Sequence, residues 1–179
     1  MAGLRKASSY SKRIVRPYTR RAGTRKKAFI KAIPPSKIVK FSMGDQKGYN
    51  TGKFKFSISF ISDENIQVRD NALESCRTLL NKALDKKLPG QYFLHINVYP
   101  HHILRENKTA AGAGADRLSS GMKHSFGVTI GRATIVTPGK TLFMIAILDE
   151  KGVREARKIM TTVKPKMPCR GKVVFKKLG

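Results

Sequence analysis

No aspartate or glutamate precedes Asp45, although thirteen cations do: Arg5, Lys6, Lys12, Arg13, Arg16, Arg20, Arg21, Arg25, Lys26, Lys27, Lys31, Lys37 and Lys40. A stretch with no acid of its own cannot neutralise itself, so it repels itself, stays extended and seeks a polyanion. Acid is scarce throughout: 11 Asp and Glu stand against 37 Lys and Arg, a formal net charge of +26. Solubility needs a magnitude of only about 2–8 in a small domain. The partner that this excess fits is a phosphate backbone. With so few carboxylates, read as helix starts and surface positions, hydrolase chemistry is poorly provided for.

Cysteine is nearly absent as well. Cys76 and Cys169 lie far apart, which excludes a disulfide framework and the paired spacings of a zinc site, and fits a reducing, intracellular setting. Long apolar runs are missing: the longest, Thr141 to Leu148, has the length of a buried strand, against roughly 18–20 residues for a bilayer span. No membrane partner is expected. The 40% hydrophobic content nevertheless supports a real core and excludes a wholly disordered basic chain. At 179 residues the expectation is one domain with a tail. The Arg- and Ser-rich start also has the composition of a mitochondrial transit peptide. Against that, the basic run continues into Lys37 and Lys40 and contains Pro17, Pro34 and Pro35.

Residues 1–36 read as an extended basic arm with Tyr10, Tyr18 and Phe29 spaced through it; cations interleaved with aromatics suit RNA, whose unpaired bases stack while its phosphates take the charges. Residues 37–179 read as a folded domain. Ile38, Val39 and Phe41 suggest a short strand, and Gly44, Gly48 and Gly52 mark turns. Lys53 to Ile61 alternates, with Phe54, Phe56, Ile58 and Phe60 on one face. Ser62, followed by Asp63 and Glu64, predicts a helix start. That helix would run to Lys87 with Ile66, Leu73, Cys76, Leu80 and Leu84 on its stripe, and Leu88-Pro89-Gly90 would end it. Cys76 is then a core residue rather than a nucleophile. Tyr92 to Tyr99 predicts a strand, and Ile103 and Leu104 another. Val128–Val136 and Thr141–Leu148 predict a hairpin across Thr137-Pro138-Gly139-Lys140. Val153 to Val163 predicts a second amphipathic helix, and Val173 to Phe175 a short closing strand. Strands and two helices without regular alternation indicate an α+β domain, its sheet mostly antiparallel with helices packed on it.

Signatures of catalysis are wanting. Gly112-Ala113-Gly114-Ala115-Asp116-Arg117 opens like a dinucleotide fingerprint, but Arg117 stands where the third glycine belongs. Ser120-Gly121-Met122-Lys123 lacks the companion motifs of penicillin-binding enzymes. His101, His102 and His124 could be imagined as a metal or acid–base cluster. Neighbouring residues of a strand point to opposite faces, so His101 and His102 are poorly placed to share a metal; they read as surface or RNA-edge histidines. No catalytic residue, cofactor or metal is expected. What remains is the Gly-, Ala- and Ser-rich segment from residue 107 to 127. It is longer than an ordinary connection, and such loops are usually functional. Its small residues allow close backbone approach to RNA, with Arg105, Lys108, Arg117, Lys123 and Arg132 in and around it.

The stretch His101-His102-Ile103-Leu104-Arg105-Glu106-Asn107-Lys108, then Ala113-Gly114-Ala115-Asp116-Arg117-Leu118, Gly121-Met122-Lys123 and Ser125-Phe126-Gly127, resembles one family closely. It is similar to the universal large-subunit ribosomal protein called L-sixteen in bacteria and L-ten-e in archaea and eukaryotes. Ile33-Pro34-Pro35-Ser36-Lys37-Ile38, the helix through Ala72 to Arg77 and the strand Phe93 to Ile96 extend the likeness over nearly the whole chain. The resemblance implies a hammerhead-type α+β fold and a structural, non-enzymatic role in the cytoplasmic ribosome. Its implied partners are large-subunit rRNA, A-site tRNA and neighbouring ribosomal proteins, without homo-oligomers. Carried over by position, the arm cations from Arg5 to Lys31 would contact rRNA. Residues 107–127 would point towards the peptidyl-transferase centre, with Arg105, Lys108, Gly112, Gly114, Arg117 and Lys123 as their contacts. Arm cysteines and the longer tail of eukaryotic members are lacking, so the archaeal branch fits better. The competing reading is a free-standing RNA-processing or RNA-modifying enzyme built on His101, His102 or His124.

Overall fold

The computed structural model describes residues 7–11, 17–19, 23–28, 30–106 and 127–178. Among these residues the fold is α+β. Five strands form one antiparallel sheet in the order β1 (Ser42–Gly44), β4 (Tyr92–Ile96), β7 (Thr141–Ile147), β2 (Phe56–Ser62), β8 (Gly171–Lys177). Three more form a second antiparallel sheet in the order β3 (Ile66–Arg69), β6 (Val128–Val136), β5 (His102–Glu106). The helices are the short α1 (Gln46–Asn50), the long α2 (Asp70–Lys87) and α3 (Glu150–Thr161).

The apolar stripe of α2 is Leu73, Cys76, Leu80 and Leu84, all fully buried. It meets Ile58 and Phe60 of β2, Leu94 and Ile96 of β4, Ile145 and Ile147 of β7, and Ala156, Ile159 and Met160 of α3 in one core. Burying a side chain of this size contributes about 1.5–3 kcal/mol, so this layer dominates the stability. A small cluster of Phe54, Phe93 and Ala146 lies apart from it. α2 stops as its sequence demands: Leu88 N–H bonds back to Leu84 O at 2.7 Å, and Gly90 follows at φ +69°.

Several expectations are corrected. The first strand is Ser42–Gly44 rather than the Ile38–Phe41 stretch; Ile38 and Phe41 pack inward, and only Phe41 O, accepting from Ile96 N–H at 2.9 Å, extends the pairing with β4. Phe54 does not share a face with Ile58 and Phe60; it precedes β2 and joins the small cluster. Ser62 does not start a helix. It ends β2, with its hydroxyl donating to Glu64 O and accepting from Glu64 N–H. Ile66-Gln67-Val68 then forms β3, and α2 begins only at Asp70, whose carboxylate accepts from the N–H groups of Asn71 and Lys37. Both Asp70 and the segment leaving the arm are thereby tied to the helix start.

β6 and β7 do not form a hairpin. The Thr137–Lys140 turn exists, closed by Lys140 N–H to Thr137 O at 3.1 Å, but its ends enter different sheets. β7 instead pairs with β2 and β4, and the turn docks on Ser62 through Gly139 N–H to Ser62 O and Ser62 N–H to Lys140 O. A central strand buried on both faces reads as a continuous apolar run, and its sequence does not name its neighbours. The closing strand is longer than Val173–Phe175, running the length of β2 from Gly171 to Lys177.

Candidate nucleic-acid interface

The three-stranded sheet is where the basic arm meets the fold. Its two outer strands would present unpaired backbone groups, and the arm supplies an acceptor to each. Gln67 N–H of β3 donates to Ser11 O at 3.4 Å, and Ile103 N–H of β5 donates to Tyr18 O at 2.9 Å. The Tyr18 N–H donates in turn to His102 Nδ1 at 2.8 Å. Two cation–ring contacts reinforce the seam: Arg105 over the Tyr18 ring at 3.5 Å, and Arg69 over the Tyr10 ring at 5.0 Å. His102, Ile103 and Leu104 are consecutive and all buried. Since successive strand residues face opposite ways, β5 is covered on both sides.

The same sheet holds the root of the long segment. Glu106 on β5 is directly opposite Val128 on β6, so residues 107–127 leave and return at one point. Arm and loop root therefore converge on β5. Arg132 of β6 ties in a third piece: its Nε donates to Pro34 O at 2.6 Å and its Nη1 to Tyr99 Oη at 3.2 Å.

Of the arm residues named from sequence, Lys26 and Lys27 are exposed and form, with the Arg25 backbone, a 3-10 turn. Lys31 is exposed and its Nζ donates to Lys26 O. Arg5, Lys6, Lys12, Arg13, Arg16, Arg20 and Arg21 lie outside the described residues, as do Lys108, Gly112, Gly114, Arg117, Lys123 and His124. Arg105 is half-buried, with its guanidinium on Tyr18. Sequence reasoning missed the structural work of Arg69 and His102, whose partners come from the arm and leave no local spacing signal.

His102 is not a surface histidine. It is buried as a hydrogen-bond acceptor, and burial, followed by the nearby Arg105 charge, holds its imidazole below the ordinary value. His101 beside it is exposed and leans on Tyr99 instead, so the two do not converge. Among the described residues no group of three or more His, Cys, Asp or Glu side chains could hold a metal. The Cys76 thiol is pushed up to about 12, chiefly by burial, which makes it inert at neutral pH. A groove of about 720 Å³ runs between α2 and β1, but its polar groups satisfy one another. Arg77 pairs with Glu74, the Tyr92 hydroxyl donates to Asp85, Asn81 Nδ2 also donates to Asp85, and Lys53 pairs with Asp45. No described helix is long and apolar enough to cross a membrane.

A family model described as ribosomal protein L16p/L10e matches residues 17–174. The chain belongs to that family. Members of the ribosomal protein L16p/L10e family are structural ribosomal proteins, so the role is structural rather than enzymatic and its place is the cytoplasmic ribosome. Curated relatives agree over nearly full length. A large ribosomal subunit protein uL16 of Staphylothermus marinus is 41% identical over 176 residues, 98% of this chain and 95% of its own. That of Archaeoglobus fulgidus is 34% identical, covering 97% and 94%, and that of Caldivirga maquilingensis 40%, covering 93% of each. These relatives are archaeal, as the missing arm cysteines suggested. The L16p/L10e assignment displaces the RNA-processing enzyme, and His101 and His102 do not converge.

Proposed function

We propose that this protein binds large-subunit rRNA through its arm and three-stranded sheet, and that residues 107–127 reach A-site tRNA near the peptidyl-transferase centre. The observation that carries this reading is the convergence of a +26 chain's arm and loop root on β5, through Tyr18, His102 and Arg105. An arm pinned at both outer strands presents its cations from a fixed base. Less chain entropy is then lost when rRNA binds than for a free tail. Residues 1–36 act as the rRNA-binding arm, residues 37–179 as the docking domain, and the loop as its working tip, with neighbouring ribosomal proteins alongside. The relatives' names, all large-subunit proteins, support the subunit.

Each neutralised phosphate contributes roughly 0.7–0.9 to the slope of log affinity against log salt. Replacing Arg20, Arg21, Arg25 and Lys26 by Ala should therefore flatten the slope for large-subunit rRNA by about 3. An unchanged slope would remove the arm from the interface. For the loop, Arg117→Ala and Lys123→Ala should lower A-site tRNA occupancy on assembled subunits while leaving subunit incorporation intact.

A further inference from the structure

Phe41, Tyr99 and His101 form a short column of rings at the surface. Phe41 packs against the core at its inner end and stacks on Tyr99 at 5.5 Å between centroids, 23° from parallel. His101 follows at 4.7 Å and 52°. A tight turn around Pro100, in which His101 N–H donates to Tyr99 O at 3.0 Å, brings these two rings together. The Tyr99 hydroxyl is held by Arg132, which is itself fixed on Pro34. The column is thus rigid at one end and open at the other: Tyr99 is 42% exposed, and His101 is exposed beyond it.

From this geometry we infer that the Tyr99–His101 end of the column is a stacking site for one unpaired RNA base. The inference rests on the RNA-binding reading above and adds a contact of a different kind. A pre-positioned pair of exposed rings, tilted 52° to each other, offers ring faces that need not be ordered first, and a nucleotide supplies both a flat base for one of them and a phosphate that the surrounding cations can take. Exposed Lys37 and Lys40 precede Phe41, and Arg132 touches Tyr99. Glu74, the carboxylate that accepts from Val39 N–H, is neutralised by Arg77 at 2.5 Å. An acidic peptide would find the cations but leave the rings uncovered, whereas a base attached to a phosphate uses both.

Stacking on an aromatic side chain is worth about 1–3 kcal/mol per base and carries no counterion release. The test is binding of the full-length chain to transcribed large-subunit rRNA across a salt series. Tyr99→Leu should weaken binding roughly 5- to 150-fold with the salt slope unchanged, and His101→Ala, on the open surface, should weaken it in the same manner. Tyr99→Phe, which keeps the ring, should bind within about twofold of the wild type. Ultraviolet crosslinking of the wild-type complex should attach RNA at the peptide containing Tyr99 and His101. Affinities equal to wild type for Tyr99→Leu and His101→Ala would overturn the site. So would a loss accompanied by a slope falling by about one, which is a lost phosphate contact. A wild-type chain that fails to bind rRNA at all would overturn the underlying reading and this site with it.

Discussion

At the scale of the residue, His102 is the side chain whose chemistry most constrains the structure. It accepts the Tyr18 N–H at Nδ1, which only the neutral ring can do. The unfolded chain takes up this proton near pH 6.5. The folded chain takes it up only at lower pH, because burial and the Arg105 charge oppose it. Stability is therefore complete above about 6.5 and declines as pH falls through the folded value. Urea unfolding at pH 8 and pH 5 should show this decline, and His102→Gln should lessen it; the same decline in the variant would exclude His102 as its source. Packing gives a second prediction. Leu80 is fully buried between α2 and the five-stranded sheet, so Leu80→Ala should lower the unfolding free energy by about 2–5 kcal/mol. Gly44 gives a third. Its φ is +87° and an added Cβ would lie 2.3 Å from Tyr92 O, a backbone atom that cannot turn away. Gly44→Ala should lower the melting temperature by several degrees, since about 1 kcal/mol shifts a midpoint by roughly 2–8 °C.

At the scale of the element, the stripes of α2 and α3, the strand beginning at Tyr92 and the Leu88–Gly90 stop were legible from signals within one segment, although that strand was expected to reach Tyr99 and ends at Ile96. β3 was hidden: Ile66 lies seven residues before Leu73, so helical spacing absorbed it although Ile66-Gln67-Val68 also fits a strand. The β6–β7 split was hidden for another reason. A turn sequence reports that the chain reverses, while the identity of the paired strand depends on burial elsewhere, here on β2 and β4. The charge of the candidate site was visible in the sequence. Its geometry was not, since Tyr18, His102 and Arg105 come together only when the arm folds back across 84 residues of sequence. The contact of Arg105 with the Tyr18 ring should contribute roughly 0.5–2 kcal/mol. Tyr18→Leu should accordingly speed tryptic cleavage within the arm several-fold while the helices and sheets remain resistant. Equal cleavage rates would mean the arm is held by its backbone bonds alone.

At the scale of the whole molecule, the excess of cations predicts that affinity for rRNA will fall by orders of magnitude between about 50 and 200 mM salt, as for proteins with several phosphate contacts. A filter-binding series over that range checks it, and a flat response would mean that charge is not the main source of binding. The five-stranded sheet has a further consequence, one of timing. β2 lies between β7 and β8, and Ser57 meets Lys176 across 119 residues of sequence. During synthesis at roughly 5–20 residues per second, β2 would wait on the order of 6–24 s for the strand that flanks it. Pairings over such separations also form slowly once both strands exist. Throughout that interval the newborn chain carries its most cationic segment already outside and its sheet still open. Any passing polyanion competes with folding for it, so cells making this protein quickly would gain from an escort that masks the arm until β8 arrives.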